Sequence, residues 1–369
     1  MDNQKTILVC PLDWGLGHAT RCIPIIQSFL NQNYTVIVGS SGSQLTLLKN
    51  EFPSLMFIEL KGYEVEYSKS DSMISKMITQ LPKIKKAIKK EHDWLEKIIN
   101  EYKVDMVISD NRYGLWNKKV KSVLITHQLF IKAPTGEWLI EKIVKSYLDN
   151  FNEIWIPDVE GEHNLSGDLA HKKPLPDNYK FIGIQSRFNG LKIMKTEFEY
   201  DFIAIVSGPE PQRTIFENLI LKQVENSNLK GVLIRGLPEQ NVIANEVKQS
   251  FHIEIASSVS LPRNDEKLKI FNHLETTELL HFIQKSKVVI SRSGYSTMMD
   301  LAVMGKKAIL VPTSGQTEQE YLAKYHHEKG HFYSQKQNEF DLEKGLKELE
   351  NYEGIKFSAN DLVSASVFT

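Results

Sequence analysis

The chain has 369 residues, more than one ordinary core accommodates, so two domains are expected. Its 41% hydrophobic and 25% charged content is that of a globular protein in water, and a formal net charge of −1 excludes a global field that would draw nucleic acid. No apolar run approaches the ~20 residues of a membrane span, and no basic-then-apolar leader precedes the first strand, so the expectation is a protein made and kept in the cytoplasm.

Short apolar runs alternate with longer helical patterns, which predicts βαβ units and parallel sheets. The first half reads as strands at Thr6–Cys10, Thr35–Val38, Met56–Leu60, Val104–Ser109, Ser122–Ile125 and Glu153–Ile156. Helices are expected near Thr20–Asn31, Gln44–Asn50, Asp71–Gln80, Pro82–Tyr102 and Glu137–Asn150. Weak periodicity and a cluster of Gly, Arg, Asn and Lys place the domain junction within Gly183–Asp201, giving domains 1–190 and 191–369. Strands resume at Phe202–Val206, Gly231–Ile234, Lys287–Ile290 and Ala308–Val311. Helices resume at Gln212–Ser227, Thr276–Gln284, Thr297–Met304, Glu318–Lys329 and Leu342–Asn351. The fold class expected is α/β, with two Rossmann-like doubly wound domains facing across a cleft. Cys10 and Cys22 read as small buried residues rather than a disulfide or metal pair.

The chemistry concentrates in glycine turns. Asp13-Trp14-Gly15-Leu16-Gly17-His18 follows the first strand and opens a helix. The short spacing and missing third glycine argue against a dinucleotide fingerprint. His18 at a helix start suits a general base, because the helix N-terminus favours neutral imidazole. Thr20 and Arg21, one turn on, lie within reach of phosphate or acceptor. In the second half, Arg292-Ser293-Gly294-Tyr295-Ser296 makes a strand-turn-helix whose free N–H groups suit a phosphate, with Ser296 as the expected cap. Asp300, one helical turn in, is placed to accept ribose hydroxyls, and Gly305 to stop the helix. After Val311-Pro312, the polar loop Thr313–Glu320 holds Glu318 and Gln319 as candidates for hexose hydroxyls. Thr317 and Glu320 have capping-box spacing.

Arg292 through Gly330 resembles the donor-binding half of GT-B glycosyltransferases, most closely the family 28 group of peptidoglycan N-acetylglucosaminyltransferases and diacylglycerol glucosyltransferases. The likeness is specific over most of residues 200–335 and weaker before them. In that group the helix after the glycine turn carries a ribose-binding acid; Asp300 stands there, where glutamate is commoner. The loop after Val-Pro ends in an acid or amide followed by Gln, matched by Glu318 and Gln319. Family members carry Gly-Gly-His where this chain has the single Gly17 before His18. An acid at the end of the strand Val104–Ser109 orients the histidine in related enzymes, which implies Asp110 as partner of His18; His127 is the substitute base. Ser207, Gly208 and Arg213 stand where the family has a more glycine-rich diphosphate loop, and two prolines there remove two N–H donors. Thr276 falls near the expected position of the nucleotide base.

The resemblance implies an inverting, metal-independent hexosyl transfer from a nucleotide sugar, a UDP-sugar first, to a sugar or lipid hydroxyl, with no cofactor. No Asp-x-Asp triplet is present, and helix N–H groups can replace a metal at the leaving diphosphate. Rival readings are a nucleotide-sugar hydrolase of the pseudaminic-acid-pathway type, whose turn Gly15-Leu16-Gly17-His18-Ala19-Thr20-Arg21 matches, a UDP-sugar 2-epimerase, and a non-catalytic nucleotide-sugar-binding protein. The basic run Lys83–Lys90 behind the stripe Met73, Ile74, Met77 and Ile78 suits either peripheral contact at the inner face of a membrane or a solvated helix face; Glu91, Asp93 and Glu96 weaken the former.

Overall fold

A computed structural model describes residues 4–63, 73–131, 137–194, 196–237, 267–355, 357 and 361, without the side chains of 73–81 and 139. Two parallel sheets carry the chain. The first contains β1 (Thr6–Pro11), β2 (Thr35–Ser40), β3 (Met56–Glu59), β4 (Met106–Asp110), β5 (Lys121–Ile125), β6 (Glu153–Ile156) and β7 (Tyr179–Phe181), in the order β3-β2-β1-β4-β5-β6-β7. The second contains β8 (Tyr200–Ile205), β9 (Gly231–Ile234), β10 (Leu268–Phe271), β11 (Ser286–Ser291), β12 (Ala308–Leu310) and β13 (Tyr333–Ser334), in the order β10-β9-β8-β11-β12-β13. Each order reverses once, between β1 and β4 and between β8 and β11. Ligands of open α/β sheets bind beyond the carboxyl ends of strands at such a switch. Both glycine turns of the sequence sit there.

Buried strands form where apolar residues run without alternation, because helices cover both sheet faces. Val107, Ile108, Val123 and Leu124 have no exposure, and each such side chain stabilises the fold by roughly 1.5–3 kcal/mol. Helices α1 (Leu16–Asn31), α2 (Gly42–Glu51), α3 (Met73–Tyr102), α4 (Glu137–Leu148) and α5 (Asp168–His171) accompany the first sheet. Helices α6 (Gln212–Glu225), α7 (Thr276–Gln284), α8 (Tyr295–Met304), α9 (Thr317–Glu328) and α10 (Leu342–Glu348) accompany the second. Leu165, Leu169, Ile184 and Phe188 pack into the second sheet's core with Tyr200, Ile203 and Met298. The Ile184 N–H donates to the carbonyl of Asp361 at 3.1 Å, which ties the last described residue to this connecting segment.

Three differences from the sequence reading have physical causes. The helix expected to break at Pro82 runs as one 30-residue element through it, although residues 71–72 lie outside the described set. A proline removes one helical hydrogen bond, and a long amphipathic helix tolerates that loss. Strands β7, β10 and β13 and the one-turn α5 were not anticipated. All three strands are edge or short and carry partly exposed residues, so they lack a buried-strand pattern. Cys10 and Cys22 are buried and free, as expected. The stripe Met73, Ile74, Met77 and Ile78 lies among side chains outside the described residues.

Candidate active site

Strand β1 pairs in parallel with β4, with Pro11 opposite Asp110. That register places the turn after β1 beside the end of β4. His18, in the first turn of α1, has its Nδ1 3.0 Å from Asp110 Oδ1. Arg21 lies three residues on, on the same helical face. Its Nε donates to Asp110 Oδ2 at 2.6 Å and its Nη2 donates to Asp110 Oδ1. Arg21 is 2% and Asp110 0% exposed, so this is a buried, bidentate ion pair. It is not a free phosphate contact, which corrects the expectation for Arg21. Burial alone would raise the Asp110 carboxyl; the Arg21 charge and His18 overcome that and hold it well below the usual carboxylate range. His18 Nδ1 also lies 2.8 Å from Arg21 Nη2, so it stands between a donor and the ionised Asp110; the tautomer in which Nδ1–H donates to Asp110 is the one that leaves the Nε2 lone pair open for a proton.

His127 is committed otherwise. Arg21 Nη1 lies 3.3 Å from its Nδ1, its Nε2 lies 2.7 Å from Glu318 Oε1, and its ring stacks on Tyr295 at 3.9 Å between centroids. Arg21 has only N–H to offer, so Nδ1 accepts and Nε2–H donates to Glu318. Burial holds His127 below its ordinary pKa against the pull of Glu318, with Arg21 adding to the effect. A neutral imidazole with both nitrogens bonded has no lone pair for the chemistry, which removes His127 as the substitute base in this arrangement.

The second glycine turn meets the first directly. Ser296 Oγ donates to the Gly17 carbonyl at 2.8 Å. Ser296 therefore does not cap α8; Gly294 occupies that position. Gly305 ends α8 in the left-handed region at φ 59°, as expected. Ser293 Oγ donates to the Gln319 carbonyl at 2.7 Å, and Tyr295 is buried with its hydroxyl on the Pro157 carbonyl at 2.9 Å. Glu318 also accepts from Gln128 Nε2. Gln319 Oε1 accepts from the Thr313 N–H at 2.8 Å, which shapes the loop before α9. The box expected at Thr317 and Glu320 does not form: Gln316 is the cap position, and Glu320 accepts from Gly315 N–H at 2.9 Å instead.

Asp300 Oδ1 accepts from Ser186 Oγ at 2.6 Å, and Arg187 Nε lies 3.7 Å from its other oxygen. Burial raises its carboxyl above the ordinary value, and Arg187 and Ser186 do not cancel that. Thr276 is held from the other domain, its N–H donating to Glu51 Oε1 at 3.1 Å; Glu275, not Thr276, is the cap position of α7. The loop after β8 carries Ser207 and Gly208, the latter at φ 110°, a conformation that glycine adopts without strain. A Cβ on Gly208 would meet Thr313 Oγ1 at 3.7 Å, and that buried hydroxyl has no hydrogen-bond partner. Arg213 is committed: Nε to Glu210 at 2.6 Å, Nη1 to Glu217 and Nη2 to Thr214. The expected Arg213–diphosphate contact is thus replaced by a structural ion-pair cluster. The buried cation closer to the turn is Arg292, 1% exposed, whose Nη2 donates to the Gln212 carbonyl at 2.7 Å and whose Nη1 donates to the Val311 carbonyl at 3.1 Å. No carboxylate pairs with it among the described residues, and burial pulls it down to about 10, still charged at neutral pH.

Residues 212–360 match the glycosyltransferase family 28 C-terminal domain. The chain is a family 28-like glycosyltransferase. Two relatives extend the likeness beyond that domain. One is the UDP-N-acetylglucosamine--N-acetylmuramyl-(pentapeptide) pyrophosphoryl-undecaprenol N-acetylglucosamine transferase of Histophilus somni, 24% identical over 366 residues, covering 96% of this chain and 92% of the relative. The other is a protein of Methanosarcina acetivorans described as an uncharacterized glycosyltransferase, 22% identical over 347 residues, covering 86% and 82%. Among solved structures, the glycosyltransferase SnogD from Streptomyces nogalater superposes with a TM-score of 0.62 at 12% identity, covering 94% of this chain and 93% of that one. Together with the two parallel sheets, that likeness establishes the GT-B fold. The sequence did not mark Glu51, Gln128, Ser186 and Arg187, which contact Thr276, Glu318 and Asp300 across the chain, because nothing local singles them out.

Proposed function

We propose that this glycosyltransferase moves a hexose from a UDP-sugar to an acceptor hydroxyl with inversion and without a metal. The observation that carries the reading is the His18–Asp110 contact of 3.0 Å at the carboxyl end of β1 and β4, facing the turn Gly294–Ser296 through the Ser296–Gly17 bond. His18 Nε2 takes the acceptor proton as the hydroxyl oxygen attacks the anomeric carbon. The bond to the diphosphate breaks on the opposite face, and the imidazolium formed is stabilised by ionised Asp110. N–H groups at the start of α8 receive the leaving diphosphate, and its developing charge is favoured by the helix dipole and by the buried charge of Arg292.

Asp300 is the ribose acceptor, Glu318 and Gln319 meet the hexose, Ser207, Gly208 and Ser293 border the diphosphate, and Thr276 lies by the base. The uridine donor is supported by the Histophilus relative, whose own name gives UDP-N-acetylglucosamine. All of Asp300, Thr276, Ser296 and Glu318 now bond to residues of other segments, so donor entry exchanges these contacts for ligand contacts.

The acceptor is a sugar or a lipid-borne hydroxyl. Exposed Lys83, Lys85, Lys86, Lys89 and Lys90 on α3 support peripheral contact with an anionic membrane; Glu91, which appeared to oppose it, is buried against Arg112. No described helix is long and apolar enough to cross a membrane.

The test is UDP release from a panel of UDP-sugars in excess EDTA, with and without sugar and lipid acceptors. Release that needs an acceptor supports the transferase. Equal release with water alone supports the hydrolase, and release abolished by EDTA contradicts metal independence.

A further inference from the structure

Two helices from different domains meet at one carboxylate. Glu51 is the last residue of α2, and Thr276 opens α7. Glu51 Oε1 accepts from the Thr276 N–H at 3.1 Å and also from the Thr276 hydroxyl. Thr276 is 6% exposed, so these two donors have little water to turn to and depend on that carboxylate. Glu275, at the cap position of α7, makes no side-chain cap bond. The capping oxygen that a helix ordinarily takes from its own first turn comes here from 225 positions away. Among the described residues nothing else bonds the Glu51 carboxylate.

The charges account both for the contact and for its ease of release. A carboxylate in the last turn of a helix sits at the negative end of that helix's dipole, an unfavourable place for Glu51 in α2. The positive N-terminus of α7 offsets this. Against the contact stand Glu275 and Glu278, exposed carboxylates at the cap position and in the first turn of α7, which repel a third negative group. Helix α2 itself is fixed, with Leu47 and Leu48 buried and Gln44 Nε2 donating to the Asp13 carbonyl at 2.8 Å. The contact therefore breaks when the Glu51 side chain swings aside or the two domains part, without unfolding of either helix.

We infer that Glu51 is an autoinhibitory latch, which competes with a nucleotide base for the two Thr276 donors. The Thr276 N–H has one hydrogen, and a base carbonyl and the Glu51 carboxylate cannot both take it in good geometry. The carboxylate is charged and is the stronger acceptor of the two. A nucleoside diphosphate must displace it, so the apparent affinity falls in proportion to the fraction of molecules whose donors are free. The inference rests on the reading that Thr276 lies by the base, and it adds a means of control over that subsite.

The experiment is calorimetric titration of UDP into the full chain, comparing the parent with Glu51→Ala and Glu51→Gln. UDP is expected to bind Glu51→Ala about threefold to tenfold more tightly than the parent. Glu51→Gln should fall between them, because its amide oxygen still accepts but carries no charge. A gain in affinity is not what structural damage produces, so the direction of the change separates a latch from a merely structural contact. If Glu51→Ala does not fold, Glu51→Gln carries the comparison. UDP affinity in the variants equal to that of the parent overturns the latch and leaves the donor reading intact. Weaker binding in Glu51→Ala also overturns it, and makes Glu51 a ligand of the base instead. No UDP binding by any of the three proteins removes the donor reading, and the latch with it.

Discussion

Ser296 Oγ and the Gly17 carbonyl, 2.8 Å apart, join the two glycine turns across the cleft. A Cβ on Gly17 would lie 2.9 Å from that oxygen and 3.2 Å from Ser296 Cβ, so close approach rather than backbone torsion requires the glycine. Gly17→Ala therefore strains the closed arrangement by about 1–3 kcal/mol, the usual range for overpacking. We expect a lower Tm and, in solution scattering, a larger radius of gyration. Adding Ser296→Ala recovers part of both; a double variant no better than Gly17→Ala alone would contradict the contact.

Asp110 is held by Arg21 in a buried pair, and removing one partner of such a pair costs about 3–5 kcal/mol. Asp110→Asn should lose that much in urea unfolding at pH 7. The pH dependence has a definite sign. Asp110 is depressed in the folded state, so its contribution is present above the unfolded carboxyl value of about 3.9 and is lost as pH falls from there toward the lower folded value. The gap between parent and variant closes in acid and stays constant near neutrality. A gap that widens in acid would contradict the assignment.

His127 and His18 separate by role. His127 is neutral and bonded through both nitrogens, to Arg21 and Glu318. His127→Gln should reduce kcat less than about tenfold and raise the donor KM by loosening Glu318. A loss at His127 equal to the 10²–10⁴-fold expected of a general base would return that role to it.

Asp300 gives the donor KM a pH signature. Its carboxyl lies above the ordinary aspartate value, because burial outweighs Arg187 and Ser186. Ribose hydroxyls are accepted by the charged form. Donor KM should then rise as pH falls, beginning at higher pH than a free aspartate would cause, and Asp300→Asn should abolish the dependence while raising KM at every pH. An unchanged KM in that variant rules out Asp300 as a ribose ligand.

Buried strands were legible in the sequence because residues such as Leu8, Val9, Val107 and Ile108 run unbroken, whereas the edge strand Leu268–Phe271 has half-exposed positions and no such signature. The glycine turns were legible from composition. Arg21 was legible as a neighbour of His18 from its three-residue spacing, but its partner Asp110 lies 89 positions away and is set by strand register. Ser296 was misread as a cap because a serine two residues after a turn glycine has that local chemistry; the carbonyl of Gly17 in the other half outcompetes it. The ion pair of Asp13 with Arg112, 3.5 Å between Oδ1 and Nη2, depends on the same parallel register and leaves no local trace.

The most direct test of the central claim compares parent and His18→Ala, measuring acceptor-dependent UDP release under saturating donor and UDP affinity by calorimetry. The account predicts a fall in kcat of about 10²–10⁴-fold with UDP affinity within about twofold of the parent. Acceptor-dependent turnover that survives in His18→Ala would contradict it.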